Sequence, residues 1–145
     1  MEILLHFTIE FASNITTYLT SILKNVFKSV LIYNYKDYYL LNNVNYYIDG
    51  TSPGSDYIAY ENTLYISNWT LVKQIQITYS GDFVDDKALI YINGSKTVFG
   101  SYAKPFNQTF TIGPCEYLNI RLGAYDTEGG GAIVRNGRLT VHVQY

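Results

Sequence analysis

Charge is scarce in this 145-residue sequence: Asp, Glu, Lys and Arg make up 15% of it, against a usual share of roughly a quarter. Ten basic residues against twelve acidic give a net charge of −2. That leaves no basic excess to release counterions from phosphate, which excludes a nucleic-acid binder working mainly by charge. Cysteine occurs once, at Cys115, so no intrachain disulfide can form. Histidine occurs only at His6 and His142, and with one cysteine this is too little for a zinc cluster or a haem attachment motif. Any twenty-residue apolar window is broken by Asn14, Thr16, Thr17, Thr20, Ser21, Lys24, Asn25 and Lys28, so no transmembrane span is expected. The first residues carry Glu2 and Glu10 and no early Lys or Arg, unlike a signal peptide. Catalytic chemistry starts from a poor inventory. No catalytic residue, metal or cofactor is assigned.

Aromatic and uncharged polar groups are what the sequence has in quantity. Sixteen Tyr, seven Phe and one Trp give a 17% aromatic share, alongside frequent Asn, Thr and Ser. Tyr combines large contact area with low rotamer cost and a hydroxyl, and is enriched at interfaces for that reason. It also suits a pleated, half-buried sheet. The two uses are compatible.

From Ser13 onward, Ile15, Tyr18, Leu19, Ile22, Leu23, Val26, Phe27, Val30 and Leu31 recur at steps of three and four, which predicts an amphipathic helix. Ser13 or Asn14 is placed to cap it, and Lys24 and Lys28 suit the dipole toward its C-terminal end. Asn34-Tyr35-Lys36-Asp37 is a plausible stop. Upstream, Ile3, Leu5, Phe7, Ile9 and Phe11 alternate with other residues as in a strand, while Leu4, Phe7, Phe11 and Ile15 continue the helical stripe. Both patterns fit; one long helix from near Glu2 or Ile3 is preferred. Such a helix most often covers its own protein's sheet. Otherwise it docks onto a partner subunit or lies on a membrane surface.

Beyond residue 37 the chain reads as short strands separated by turns. The expected strands are Tyr38–Leu41, Val44–Ile48, Tyr57–Tyr60, Leu64–Ser67, Leu71–Tyr79, Ala88–Ile92, Thr97–Phe99, Phe106–Ile112, Tyr117–Leu122, Ala132–Arg135 and Leu139–Gln144, some of which merge. Asn93-Gly94 and Asn136-Gly137 each read as a tight hairpin turn. Phe106, Gln108, Phe110 and Ile112 are expected on one face of their strand, and Leu118, Ile120 and Leu122 likewise. Eight to ten strands without βαβ alternation predict a mainly β fold, an antiparallel two-sheet β-sandwich preceded by the amphipathic helix. The strand count favours a jelly roll over an immunoglobulin-like order. Residues 1–36 are then a helical arm and 37–145 the β-sandwich domain.

Asp82, Asp85 and Asp86 fall together in one expected turn, and Asp126 with Glu128 in another. Two such loops would offer an ion its oxygen ligands, although solvated turn residues are the commoner outcome. They are equally candidates for binding a partner. Asp126 to Gly131 ends in three glycines but lacks the Lys-Ser/Thr of a P-loop, so it reads as a loop at one end of the sandwich. Cys115 has no His near it in sequence and reads as a buried or idle thiol. Four Asn-x-Ser/Thr triplets begin at Asn14, Asn68, Asn93 and Asn107, of which Asn93 is the one expected on an exposed turn. Trp69 is expected in the core, with sugar stacking as the alternative.

Abundant Tyr, Ile, Asn and Thr, few charges, one Cys and a helical arm before a sandwich together resemble virion proteins from viruses of hyperthermophilic archaea. The resemblance is compositional. It implies a single jelly-roll capsid or related subunit located in the virion, with its arm facing a neighbouring subunit or an internal membrane. The leading expectation is a non-enzymatic structural subunit that assembles with copies of itself and other virion proteins. Ile15, Tyr18, Ile22, Val26 and Val30 would be contact residues of the arm. The alternatives are a β-sandwich module for carbohydrate or a host surface, extracellular or on the cell surface, and a pilus-like subunit.

Overall fold

The computed structural model describes residues 13–25, 35–49 and 52–145, except the side chains of Ile48, Asp49 and Ala132. By contacts the chain divides into two compact units, Met1–Tyr35 and Lys36–Tyr145.

In the first unit, residues 13–25 form the helix α1, every residue of which is exposed. Thr17 and Thr20 turn their hydroxyls back onto the carbonyl oxygens of Ser13 (2.9 Å) and Thr16 (2.7 Å), so these polar side chains find acceptors within the helix itself. Ser13 is already helical. The helix start and its cap, the helix-or-strand choice at residues 2–11, and Val26 and Val30 all lie outside the described residues.

The second unit is built from β1 (Tyr35–Asp49), β2 (Asp56–Tyr65), β3 (Gln74–Val84), β4 (Lys87–Ile92), β5 (Ser95–Phe99), β6 (Lys104–Ile112), β7 (Tyr117–Tyr125) and β8 (Gly131–Gln144). They form two four-stranded sheets in the orders β1-β8-β3-β6 (sheet A) and β2-β7-β4-β5 (sheet B). β1 therefore neighbours β8, β2 neighbours β7, β3 neighbours β6 and β4 neighbours β5, the pattern left when one long antiparallel hairpin is rolled up. Rolling adds the contacts β8–β3 and β7–β4. This is the jelly roll, and it settles the strand order that the sequence left open.

Alternation explains why these segments pair as they do. Along β3, Ile75, Ile77 and Tyr79 are buried while Gln74, Gln76 and Thr78 are not, so one face is committed to the core and the register cannot slip by one residue. Leu118, Ile120 and Leu122 of β7 are fully buried, as expected, and meet Leu139, Val141 and Val143 of β8 in one core shared by both sheets. Tyr79 sits among rings, with Phe106 at 4.9 Å and Phe99 at 5.9 Å between centroids. Gln108, expected to point inward with Phe106, is exposed; its strand β6 lies at the edge of the sheet, where the sandwich stays open.

The two Asn-Gly turns part company. At Asn93-Gly94 both residues have positive φ (47° and 85°), as a type I′ hairpin requires, and β4 pairs with β5 across it. Asn136 has φ 52° without a positive φ at Gly137. The expected hairpin there is instead a kink inside one strand: β8 runs on and pairs with β3 on both sides, Phe83 with Arg135 and Ser80 with Arg138. A left-handed Asn serves either purpose, and the continuous partner strand decides between them. The expected strand pairs Tyr38–Leu41 with Val44–Ile48 and Tyr57–Tyr60 with Leu64–Ser67 merge in the same manner into β1 and β2. β1 absorbs a left-handed Asn43 (φ 55°), and β2 a bulge between Ile58 and Tyr60. The strand expected from Leu71 starts only at Gln74, because Trp69–Leu71 form a short 3-10 turn.

Connections gather at two ends. Loops 52–55, 85–86, 100–103 and 126–130 share one, tied by Gly54 N to Asp126 O (2.7 Å) and Ala103 N to Val84 O (2.8 Å). Loops 66–73, 93–94 and 113–116 and the C-terminal Tyr145 share the other, tied by Ile66 N to Glu116 O (2.8 Å) and the Tyr145 hydroxyl to Ser67 O (3.0 Å).

Candidate functional site

The apolar stripe of α1 reaches solvent. Ile15, Tyr18, Leu19, Ile22 and Leu23 are all among the exposed large hydrophobic residues. Their three- and four-residue spacing puts them on one side of the helix, opposite Thr16, Thr17, Thr20 and Lys24.

The two acidic loops do come together, though not as one ligand set. Thr127 donates its hydroxyl to Asp86, and Asp85 N donates to Ile133 O (2.8 Å), which joins the β3–β4 and β7–β8 connections. Asp126 is fully buried and accepts from the backbone N–H groups of Glu128 (3.0 Å) and Gly129 (2.5 Å). Its carboxylate thus holds the glycine-rich loop in shape. Asp82, expected in the same turn as Asp85, belongs to β3 instead; it accepts from the Asn136 amide (2.9 Å) and pairs with Arg138 (3.5 Å). A cleft of about 270 Å³ lies here between Tyr47, Tyr102, Asp85, Asp86 and Glu128. Among the described residues no three His, Cys, Asp or Glu side chains gather to hold a metal ion.

The outer face of sheet B carries a network invisible in the sequence because its members are up to 69 residues apart. Asp56 on β2 receives Lys96 of β5 (2.6 Å) and the Tyr91 hydroxyl of β4. The Arg121 guanidinium lies 5.0 Å from the Tyr91 ring centre and 3.7 Å from the Glu61 carboxylate, and Lys96 lies 4.8 Å from the Tyr125 ring. Burial pushes the Asp56 carboxyl up, but Lys96, Tyr91 and Arg121 together outweigh it and hold its pKa below the ordinary value. By register the network crosses the row of Gly123 and Leu89, and Leu89 is fully buried. Four charges on this face, Asp56 with Lys96 and Glu61 with Arg121, are paired with one another.

At the end holding loop 66–73, aromatic and aliphatic side chains are exposed together. Trp69 is 39% exposed and Leu71 67%, which corrects the expectation that Trp69 is a core residue: the 3-10 turn lifts it out of the sandwich. Tyr65 and Tyr117, cross-strand partners on sheet B, put their rings 5.5 Å apart and are both mostly exposed. All four sequon asparagines are exposed, not Asn93 alone.

Cys115 lines an open groove, and burial, outweighing a hydrogen bond with Asn93, pushes its thiol up and away from thiolate. The letters Gly50-Thr51-Ser52-Pro53-Gly54 match a nucleophile elbow, but Ser52 lies in the β1–β2 connection and not on a strand-to-helix turn. His142 pairs with Asp37 (2.5 Å), toward the other end of the sandwich. No protein-family profile and no curated protein sequence matches the chain.

Proposed function

We propose that this chain is a non-enzymatic structural subunit that assembles with copies of itself, of the single jelly-roll capsid kind, and that it works in a virion. The strand order carries the reading, because the jelly roll is an architecture of viral capsid subunits, shared with lectin domains and cupins. Fold alone does not give function. Surface chemistry supports the choice: the exposed apolar stripe of α1 and the patch of Tyr65, Trp69, Leu71 and Tyr117 offer contact area with little charge to desolvate. Closed shells are built from many such modest contacts. The arm would meet a neighbouring subunit, another virion protein or a membrane surface.

Sedimentation and negative-stain imaging of the full chain over a concentration series test the proposal. Concentration-dependent assembly that weakens on removing residues 1–33 is expected; a strict monomer with and without them overturns it. One observation favours a second reading: the paired rings of Tyr65 and Tyr117 with Trp69 nearby would suit stacking on a sugar. Glycan-array binding lost in Y65A and Y117A would move the function to a carbohydrate-binding module.

A further inference from the structure

Among the described residues the sandwich has four free edges, and they are not alike. Exposed strand edges invite pairing with other chains, and proteins blunt them with charge, bulges, proline or shortness. β1 carries Lys36, Asp37 and the kink at Asn43. β2 carries Glu61 and its bulge. β5 is five residues long and carries Lys96. β6 has Lys104 and Pro105 at its start, beside its one irregularity against β3. It then runs from Phe106 to Ile112 without a charge, a proline or a register shift. Among the described residues no strand pairs with its outer edge. Next to it the sandwich opens into a groove of about 460 Å³, with Ile92, Phe110, Ile112 and Cys115 in its walls.

We propose that a second copy of the chain adds at this edge: two β6 strands pair antiparallel across a twofold axis at Thr109 and join two copies of sheet A into one. The inference rests on the self-assembly reading and names its contact. Thr109 is the midpoint of the uncharged stretch, so Phe106 comes opposite Ile112, Asn107 opposite Thr111, and Gln108 opposite Phe110. No ionised group faces another, and like charges directly opposite are what would forbid such a pair. Thr109, Thr78 and Thr140 already form a row across β6, β3 and β8, with the Thr78 and Thr109 hydroxyls 2.9 Å apart. Hydroxyls both donate and accept, so this row is complementary to its own copy across the axis. Gln108 of each copy would lie beside Phe110 of the other, at the mouth of the groove. Seven paired residues, a ladder about 24 Å long, fall well short of the roughly 20–30 residues a side of a standard stable interface. The contact is therefore weak singly and adds up only in an array.

Sedimentation velocity of the full chain is compared for wild type, T109K and the control N42K; Asn42 is exposed on β1, the opposite edge strand of sheet A. T109K sets two ammonium groups at the axis and is expected to raise the dimer dissociation constant by about tenfold or more, with N42K unchanged. In a C115S background, T109C is expected to form a disulfide-linked dimer under mild oxidation and N42C is not. Facing Cα atoms of antiparallel strands stand about 4.5–5.5 Å apart, within disulfide range. Cross-linking decides the matter where T109K lowers the melting temperature. If wild type associates while T109K associates equally well and T109C does not cross-link, the β6 contact is overturned and self-assembly stands through another surface. If wild type remains monomeric at every concentration, both fall.

Discussion

Gly123→Ala should be among the most damaging small substitutions in the sandwich. A Cβ at this position would stand 1.6 Å from the carbonyl oxygen of Tyr57 and 2.7 Å from its carbon. The obstacle is the backbone of β2 at its bulge, so no rotamer change relieves it, and β2 must retreat by about 2 Å to restore normal contact. Between two and four ladder hydrogen bonds around Tyr57–Tyr60 would be lost at about 1 kcal/mol each, with about 1–3 kcal/mol of overpacking added. The total, roughly 3–7 kcal/mol, is a large part of the roughly 5–15 kcal/mol that holds an ordinary domain together. Gly94→Ala is the control, because Gly94 has φ 85° and nothing within 4 Å; its cost is left-handed strain alone, about 1–2 kcal/mol. Urea unfolding measures both, read as a shift in midpoint at unchanged slope. The steric reasoning is refuted if G123A destabilises no more than G94A.

Tyr79→Phe should leave stability unchanged or raise it by about 1 kcal/mol, since Tyr79 is fully buried, its hydroxyl has no hydrogen-bond partner, and its ring contacts survive the change. A loss of similar size in thermal unfolding would contradict this. Asp56→Asn should lower stability at neutral pH and leave it unchanged in acid: the folded pKa lies below the ordinary carboxylate value, so the stabilisation is present above about pH 4 and fades as pH falls through the folded pKa. Unfolding curves of wild type and D56N should therefore differ at neutral pH and converge in acid; a gap that widens in acid would refute the role given to Lys96 and Tyr91.

How much of this was legible in sequence follows from how local each feature is. Alternation in Gln74–Tyr79 and Tyr117–Leu122, and the left-handed pair at Asn93-Gly94, depend on neighbouring residues and read correctly. Asn136-Gly137 carries the same local signal, yet β3 pairs straight past it, information held some 50 residues away. β1 and β2 looked broken for the same reason: Asn43 accepts from Arg138 (2.6 Å) and Asn45 accepts from the Asn136 N–H (2.8 Å), so the partner strand holds together what local propensity would divide. Among the site residues, the grouping of Ile15, Tyr18 and Ile22 on one side of a helix followed the helical period, though not their exposure, whereas Asp82 was misplaced because the end of β3 depends on where β8 stops pairing. The Asp56 network had no sequence signal at all, since its carboxylate, phenol and ammonium come from three strands.

The scarcity of charge and the geometry of the surface bear on each other. Asp56 pairs with Lys96, Glu61 with Arg121, Asp82 with Arg138 and Asp37 with His142. Each pair bridges two strands across an outer sheet face. Exposed pairs of this kind contribute at most about 1 kcal/mol each, so their effect on the fold is small; their effect on association is larger, because they leave little net field to steer or repel a partner. The uncharged run of β6, the rings of Tyr65 and Tyr117, and the stripe of α1 lie outside these pairs. Contacts at such places depend on short-range fit and on removing apolar area from water, which salt screens little. A molecule that recruits partners by long-range attraction would distribute its charges the other way, clustered in one sign at the contact and absent from the flanks.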